Sequence, residues 1–382
     1  MAQDPNRTQR HAVFDYRPPL SLRLIKGTLI ALIGAAAACV AYTVYWFYVA
    51  SAFRDGLPAW IERTAGPNAT LAYRQLEISG YPFQFRLILT EPLLDAPALP
   101  AWANKPVKWK ASRVTAMMAP WNWSRFTVDL AGVHEFDLPA EAGRRNLRAN
   151  ARQFLTETVL RNDGLPETMQ VNVVRLRVEE GASSTPPLWS AGAAQVFARR
   201  LFPPVDAADK PTFTLQLRLQ DVRLPPGDLP LGRDVTRLAG DIKVVGRLSD
   251  PLSTGDLATW RDAGGTVDFV VNEARYGPLS MTANGTAALD AALQPMAAMT
   301  ANVQGLFPAI DALRDRDLIR SRDAAMAKVV LGVMARPGDN GVPTISLPFT
   351  IQDGKLSAAS IALMDVPPIP WPNEDTRPRF IR

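Results

Sequence analysis

Between Gly27 and Phe53 the chain carries no charged side chain, and beyond that run the apolar positions recur mainly at every second residue. The 27 uncharged residues would span about 40 Å as a helix, more than the ~30 Å hydrocarbon core of a bilayer, and predict a transmembrane segment. Its aromatic end, Tyr42, Tyr45, Trp46, Phe47 and Tyr48, suits the headgroup layer. Residues 54–66, with Leu57, Trp60 and Ile61 ahead of Gly66-Pro67, predict a short juxtamembrane helix or stalk. After it the period is two. Phe83, Phe85, Leu87 and Leu89 form one alternating set, Phe213, Leu215, Leu217 and Leu219 a second, and Ile345, Leu347, Phe349 and Ile351 a third. Each predicts a strand with one buried face. Further alternating runs lie at 126–138, 171–178, 241–248, 266–276, 279–289, 298–304 and 355–363, between turn signals such as Gly277-Pro278 and Asp353-Gly354.

Two features interrupt this alternation. From Leu219 to Leu224 the apolar positions change from odd to even, which a strand accommodates only through a bulge near Gln220-Asp221. Helical spacing returns at 141–161 (Leu147, Ala151, Phe154, Leu155, Thr158, Val159), at 189–201 (Ala193, Val196, Phe197, Leu201) and at 308–335, the last breaking into two helices. The predicted fold is α+β and strand-rich, a single N-terminal transmembrane helix followed by curved antiparallel β-sheet units packed with a few helices. The expected organisation is a basic tail at 1–26, an anchor at 27–53 and a stalk at 54–66. An N-terminal β-rich unit at 67–204 and a C-terminal one at 205–382 follow, joined where Pro203-Pro204 and Lys210-Pro211 punctuate the chain. The 181–187 stretch reads as a loop.

Composition narrows the function classes. The 33 prolines outnumber the 24 glycines, which disfavours a helical bundle. One cysteine and two histidines exclude an internal disulfide, zinc fingers and Cys/His metal cages, so neither metal nor cofactor is expected. The net charge of +5 is partly a tail effect, since Arg7, Arg10, Arg17, Arg23 and Lys26 oppose only Asp4 and Asp15 in the first 26 residues. The remainder is too balanced for a surface that tracks phosphates, so nucleic acid is not an expected partner. The basic tail ahead of the apolar run orients residues 1–26 toward the cytoplasm and the rest of the chain across the membrane. A cleaved signal peptide ending at Ala50-Ser51-Ala52 is the competing reading, but signal apolar regions run about 7–15 residues, and the longer run here favours an uncleaved anchor. Cys39 reads as a small apolar residue inside that helix.

Catalytic motifs are missing. The sequence holds no G-x-S-x-G elbow, no G-x-x-x-x-G-K-[ST] phosphate loop and no G-x-G-x-x-G opening a helix. His134 sits between Val133 and Glu135 in an alternating strand, so it points away from the face shared by Glu135 and Asp137 and reads as a hydrogen-bonded surface or edge histidine. Glu179-Glu180 likewise divides between two faces. Two carboxylates distant in sequence could still meet as a glycosidase pair. Trp102, Trp109, Trp121 and Trp123, mixed with Met117, Met118 and lysines, fill a core on one reading and form an exposed lipid- or partner-touching surface on the other. No catalytic residue is assigned, and the Asn-x-Ser/Thr triplets carry no function.

Ile78-Ser79-Gly80-Tyr81-Pro82-Phe83 ahead of an alternating strand, Trp121-Asn122-Trp123 before Phe126, the 240–248 strand, and Trp260 with Gly264-Gly265 resemble a family of Gram-negative envelope proteins known as a domain of unknown function. The strand pairs with Gly285 ahead of Leu289 and Gly354 ahead of Leu356 are also similar to AsmA-like proteins. That similarity implies an N-terminal anchor and a periplasmic curved sheet involved in moving lipid. These resemblances imply a single-pass protein of the bacterial inner membrane, with the bulk of the chain periplasmic. Two functions are then expected. The first is a non-enzymatic protein whose apolar sheet face (Phe213, Leu215, Leu217, Leu219, Ile345, Leu347, Phe349, Ile351) binds or helps move lipid or another apolar ligand. The second is an envelope scaffold that binds a protein partner, its sheet sealed by helices at 141–161 and 308–335. An open apolar groove separates the first from the filled core of the second.

Overall fold

A computed structural model describes residues 20–66, 68–99, 105–140, 143–181, 187–202, 210–227, 229–247, 254–338, 341–358, 361–369 and 371. The expected tail before Leu20, Trp102, most of the 181–187 loop and Pro203-Pro204 lie outside these residues. Helix α1 (Leu20–Ala65) is continuous, with Pro58 inside it, and its stretch Thr28–Ala65 is long and apolar enough to cross a membrane. The expected stalk is therefore the end of the same helix. Met1–Phe53 and Arg54–Arg382 form two compact units. In the second, Leu57, Ile61 and Ala65 pack on Leu71, Leu94, Ala96 and Leu99.

The second unit is built on one antiparallel sheet whose long passes, each of one or two strands, pair in chain order. The first five passes are each interrupted once. They are β1 and β2 (Thr70–Ala72, Gln75–Ser79), β3 and β4 (Phe85–Thr90, Leu93–Leu99), β5 and β6 (Lys105–Ala111, Arg113–Ala119), β7 and β8 (Asn122–Asp129, Gly132–Ala140), and β9 and β10 (Gly143–Ala151, Gln153–Leu160). Long passes follow as β11 (Pro166–Glu180), β12 (Trp189–Arg200), β13 (Pro211–Arg223) and β14 (Asp234–Val245). Helix α2 (Thr254–Asp262) leads to β15 (Thr266–Tyr276), β16 (Leu279–Leu289) and β17 (Pro295–Gln304). Helices α3 (Leu306–Asp315) and α4 (Ser321–Met334) precede β18 (Arg336–Pro337), β19 (Pro343–Gln352), β20 (Lys355–Ala358) and β21 (Ile361–Asp365). The join expected at 203–211 falls between β12 and β13, which pair from Ser190↔Arg223 to Arg200↔Phe213, so the sheet runs across it.

The interruptions form a line. Glu91, Ser112, Leu130 and Arg152 break neighbouring passes, and each still bonds across to the next strand: Glu91 N–H to Ser112 O, Ser112 N–H to Val133 O, Leu130 N–H to Phe154 O and Arg152 N–H to Val174 O. The line continues through Arg175, Gly192 and Asp221, which the registers of β11, β12 and β13 skip. Glu91, Gly132, Arg175 and Asp221 take positive φ of 49°, 109°, 54° and 51°. A one-residue bulge changes the parity of the apolar positions along its own strand, while residues paired on either side of it still share a face. Placed side by side, the interruptions change that parity in β11, β12 and β13 together, with no register shift between these strands.

That line explains one of two corrections. The helices expected at 141–161 and 189–201 are strands β9, β10 and β12. Leu147, Ala149 and Ala151 share a face with Phe154, Thr156 and Thr158 across the Arg152 bulge, and the three-residue step there imitates helical spacing. In β12 the helical spacing comes from apolar residues on both faces, since Val196 lies opposite Leu217 but Ala193 and Phe197 lie opposite Gln220 and Gln216. The bulge expected at Gln220-Asp221 is present, as is the division of 308–335 into two helices, which Lys328 Nζ ties together at 2.6 Å from Asp311 Oδ1. That ammonium holds the Asp311 carboxyl below the usual carboxylate range.

Asp221 occupies the left-handed region, where a β-branched side chain is costly and glycine is free. Asp221→Val should lower stability by roughly 1–2 kcal/mol and Asp221→Gly should leave it unchanged or raise it, as read by denaturant unfolding of the full chain. Equal losses for both variants would show that the bulge does not depend on backbone conformation.

Candidate functional site

Because the faces stay in phase, the two apolar sets expected to face a ligand belong to one surface. Leu217 lies opposite Gly240, then Val271, Ala283, Ala301 and Leu347 in successive strands. Leu219 leads through Leu238, Ala274, Met281 and Val303 to Ile345. Leu215 leads through Ile242, Phe269, Gly285 and Met299 to Phe349. Phe213 leads through Val244, Val267, Ala287 and Ala297 to Ile351. Five strand spacings of about 4.8 Å make each row about 24 Å long. In the other direction Leu217 continues through Val196, Val171, Thr156, Val128, Ala116 and Leu87 to Ile78.

The middle of these rows is floored by small residues. Gly285 marks a close approach, since a Cβ there would lie 2.5 Å from Ala298 O and from Met299 Cβ. Cover is local. Leu306 of α3 packs over Ala283, Ala301 and Val303, and the end of α1 over Ala96. Of the eight residues of the expected face, Ile345 is buried at 2% exposure and the other seven are half-buried. Among the described residues the large side chains with under 2% exposure are Phe85, Ile345 and Pro92.

The opposite face is ionic. Lys108–Asp95, Arg148–Glu135, Arg125–Glu157 and Arg237–Glu273 pair across it at 2.8, 4.0, 3.4 and 3.3 Å. Such exposed pairs contribute little stability but keep that face wet. A cavity of about 410 Å³ opens there beside Leu93, Lys108, Lys110, Glu135, Asp137 and Arg148.

Glu135 and Asp137 are thus separated from His134, as strand alternation requires. His134 itself is neither surface nor edge. It is 7% exposed, in an interior strand between β5 and β9. Trp109 Nε1–H donates to His134 Nδ1 at 3.1 Å, while Nε2 lies 2.7 Å from Leu130 O, at the bulge line. Both ring nitrogens are engaged in holding structure. Glu180, at the end of β11, accepts two hydrogen bonds from Arg145 at 2.8 and 2.9 Å. Among the described residues no group of three His, Cys, Asp or Glu side chains could hold a metal ion.

The tryptophan group divides. Trp109 is half-buried against His134, whereas Trp121 and Trp123 are 67% and 45% exposed. Phe83, grouped by alternation with a buried strand face, is 73% exposed in the turn before β3. Gly80, at φ 100°, closes that turn by accepting from the N–H groups of Phe83 and Gln84. Alternation carries no sign that the strand begins only at Phe85, although Gly80 and Pro82 mark a turn.

Residues 46–367 match the model of a family described as uncharacterized proteins conserved in bacteria, DUF2125. No curated protein matches the chain significantly. The AsmA-like similarity is not shown by these comparisons.

The hydrogen bonds of His134 give a direct expectation. His134→Ala should cost about 1–3 kcal/mol by leaving the half-buried Trp109 N–H without its acceptor and emptying the buried ring site. Glu135→Gln, on the wet face, should change stability little. A His134→Ala protein of unchanged stability that had lost its function would contradict a structural role.

Proposed function

We propose that this chain, which belongs to the DUF2125 family of bacterial proteins, is a non-enzymatic, membrane-anchored envelope protein whose apolar sheet face holds acyl chains. The observation that carries the reading is the face itself. Its rows run unbroken from Leu217 to Leu347, and seven of the eight expected ligand-facing side chains remain half-buried. Apolar surface left in this state is unfavourable in water, and covering it with hydrocarbon gains about 0.8 kcal/mol per methylene. A dozen methylenes would gain roughly 10 kcal/mol before the cost of immobilising the chain. A row of about 24 Å exceeds the ~15 Å depth of one leaflet's hydrocarbon, so an acyl chain fits along it.

Topology completes the proposal. Helix α1 anchors the chain in the inner membrane, the basic first 26 residues stay in the cytoplasm and the sheet stands in the periplasm. Lipid from that membrane is then the available cargo. The scaffold reading is weaker, because the 141–161 segment that would have sealed the sheet is itself part of the sheet.

Two outcomes are expected. A periplasm-dependent reporter fused after Arg382 should be active and a cytoplasm-dependent one silent; the reverse would refute the topology. Leu217→Glu should leave the full chain folded, because a half-buried carboxylate reaches water, yet deplete the lipid copurifying with it. In a sealed core the same charge would consume much of a stability of roughly 5–15 kcal/mol. An unfolded variant, with no lipid on the parent protein, would overturn the acyl-chain reading.

A further inference from the structure

Four of the exposed aromatic side chains gather at one place. The turn joining β2 to β3 and the turn joining β6 to β7 lie at one end of the sheet, since Ser79 pairs with Arg86, Phe85 with Met118, and Ala119 with Asn122. The first turn presents Tyr81 and Phe83, 46% and 73% exposed, and the second presents Trp121 and Trp123, 67% and 45% exposed. Full burial of a side chain of this size is worth about 1.5–3 kcal/mol, so covering the exposed parts of four grouped on adjacent turns is favourable. The turns are built to hold them out. A Cβ at Gly80 would lie 2.6 Å from both Cγ and O of Gln84, so the backbone there is tightly folded under Phe83. The register shift between Met118 and Ala119 brings the Trp123 ring to 5.8 Å from the fully buried Phe85 ring, joining this tip to the apolar face.

Arginines lie on the strands that lead to these turns. Arg86 and Arg125 are exposed on the adjoining strands, Arg125 lying 3.4 Å from Glu157. Arg161, two residues beyond the partner of Arg125, hydrogen-bonds Asp163 and sits 3.8 Å over the Phe202 ring, which Arg200 approaches at 5.6 Å. Amphipathic rings at turn tips with arginines behind them match the layered chemistry of a bilayer surface, in which rings settle at headgroup depth and cations meet phosphates. A protein hot spot would instead seat such rings in a pocket of its partner.

We infer that the tip formed by Tyr81, Phe83, Trp121 and Trp123 docks on the surface of a lipid bilayer, with the neighbouring arginines favouring anionic headgroups. The contact concerns the membrane surface rather than cargo, and it stands or falls separately from acyl-chain binding.

The test uses the full chain in phosphatidylcholine nanodiscs, with its cysteine removed (Cys39→Ser) and an environment-sensitive fluorophore on Asn122→Cys, between the two tryptophans. Emission is read in the disc alone and after adding protein-free vesicles of phosphatidylcholine with or without phosphatidylglycerol. A blue shift is expected in the disc or on adding vesicles, larger with phosphatidylglycerol. It should be lost when Phe83→Ser and Trp121→Ser are introduced, at unchanged thermal stability, because both side chains are exposed. Either substitution alone should reduce the shift, which keeps the test valid if the pair is unstable. A water-like spectrum with every lipid, a shift that survives both substitutions, or one that requires added envelope protein would each overturn the inference. Lipid copurifying with the same variants reports independently on the acyl-chain reading.

Discussion

The structure depends on matching each change of apolar parity along a strand to a bulge. An antiparallel ladder fixes a side-chain period of two, so a strand whose apolar positions change parity needs a bulge at the change, as β15 shows between Val271 and Ala274, which still meet Ala283 and Met281 on the apolar face. The chain makes its bulges in neighbouring strands, from Glu91 through Arg152 to Asp221, and the hydrogen bonds at Ser112, Leu130 and Arg152 carry the ladder across them. Residues at positive φ are the local cost. The gain is a surface whose apolar character survives a change of parity in every affected strand.

Uniform faces determine where stability can come from. Helices α2 and α3 and the end of α1 bury patches around Trp260, Ala301 and Ala96, while the rows between them stay half-buried. Stability in such a sheet rests on contacts between neighbouring strands more than on one central core. His134 illustrates this economy. Placed at the bulge line, it accepts from Trp109 and lies within hydrogen-bond distance of Leu130 O, tying the break in β7–β8 to its neighbour β5.

Much of this was legible in the sequence. The alternation at 213–219 and 345–351 identified strands and their apolar sides, and the parity change at Leu219–Leu224 located one bulge correctly. The same physics hid the rest. In β9–β10 the apolar residues on either side of the bulge are small or interspersed with half-buried side chains such as Leu155, so the parity change read as helical spacing, and in β12 Ala193 and Phe197 on the polar face combined with Val196 to the same effect. That the two apolar sets share rows depends on the registers of five intervening pairings, which no local pattern encodes. Phe83 misled for a different reason, because alternation extends into the turn that holds it out.

Side-chain direction on these strands offers the most direct test of the account. A photocrosslinking phenylalanine analogue placed in living cells at Leu217 or Leu347 samples the apolar face, and at Gln216 or Ser346 the polar one. After irradiation and purification of the full chain, mass spectrometry reads the adducts. Lipid attached at Leu217 and Leu347 but not at Gln216 and Ser346 is the predicted result. No lipid at any position, or lipid equally on both faces, would contradict an apolar face that holds acyl chains.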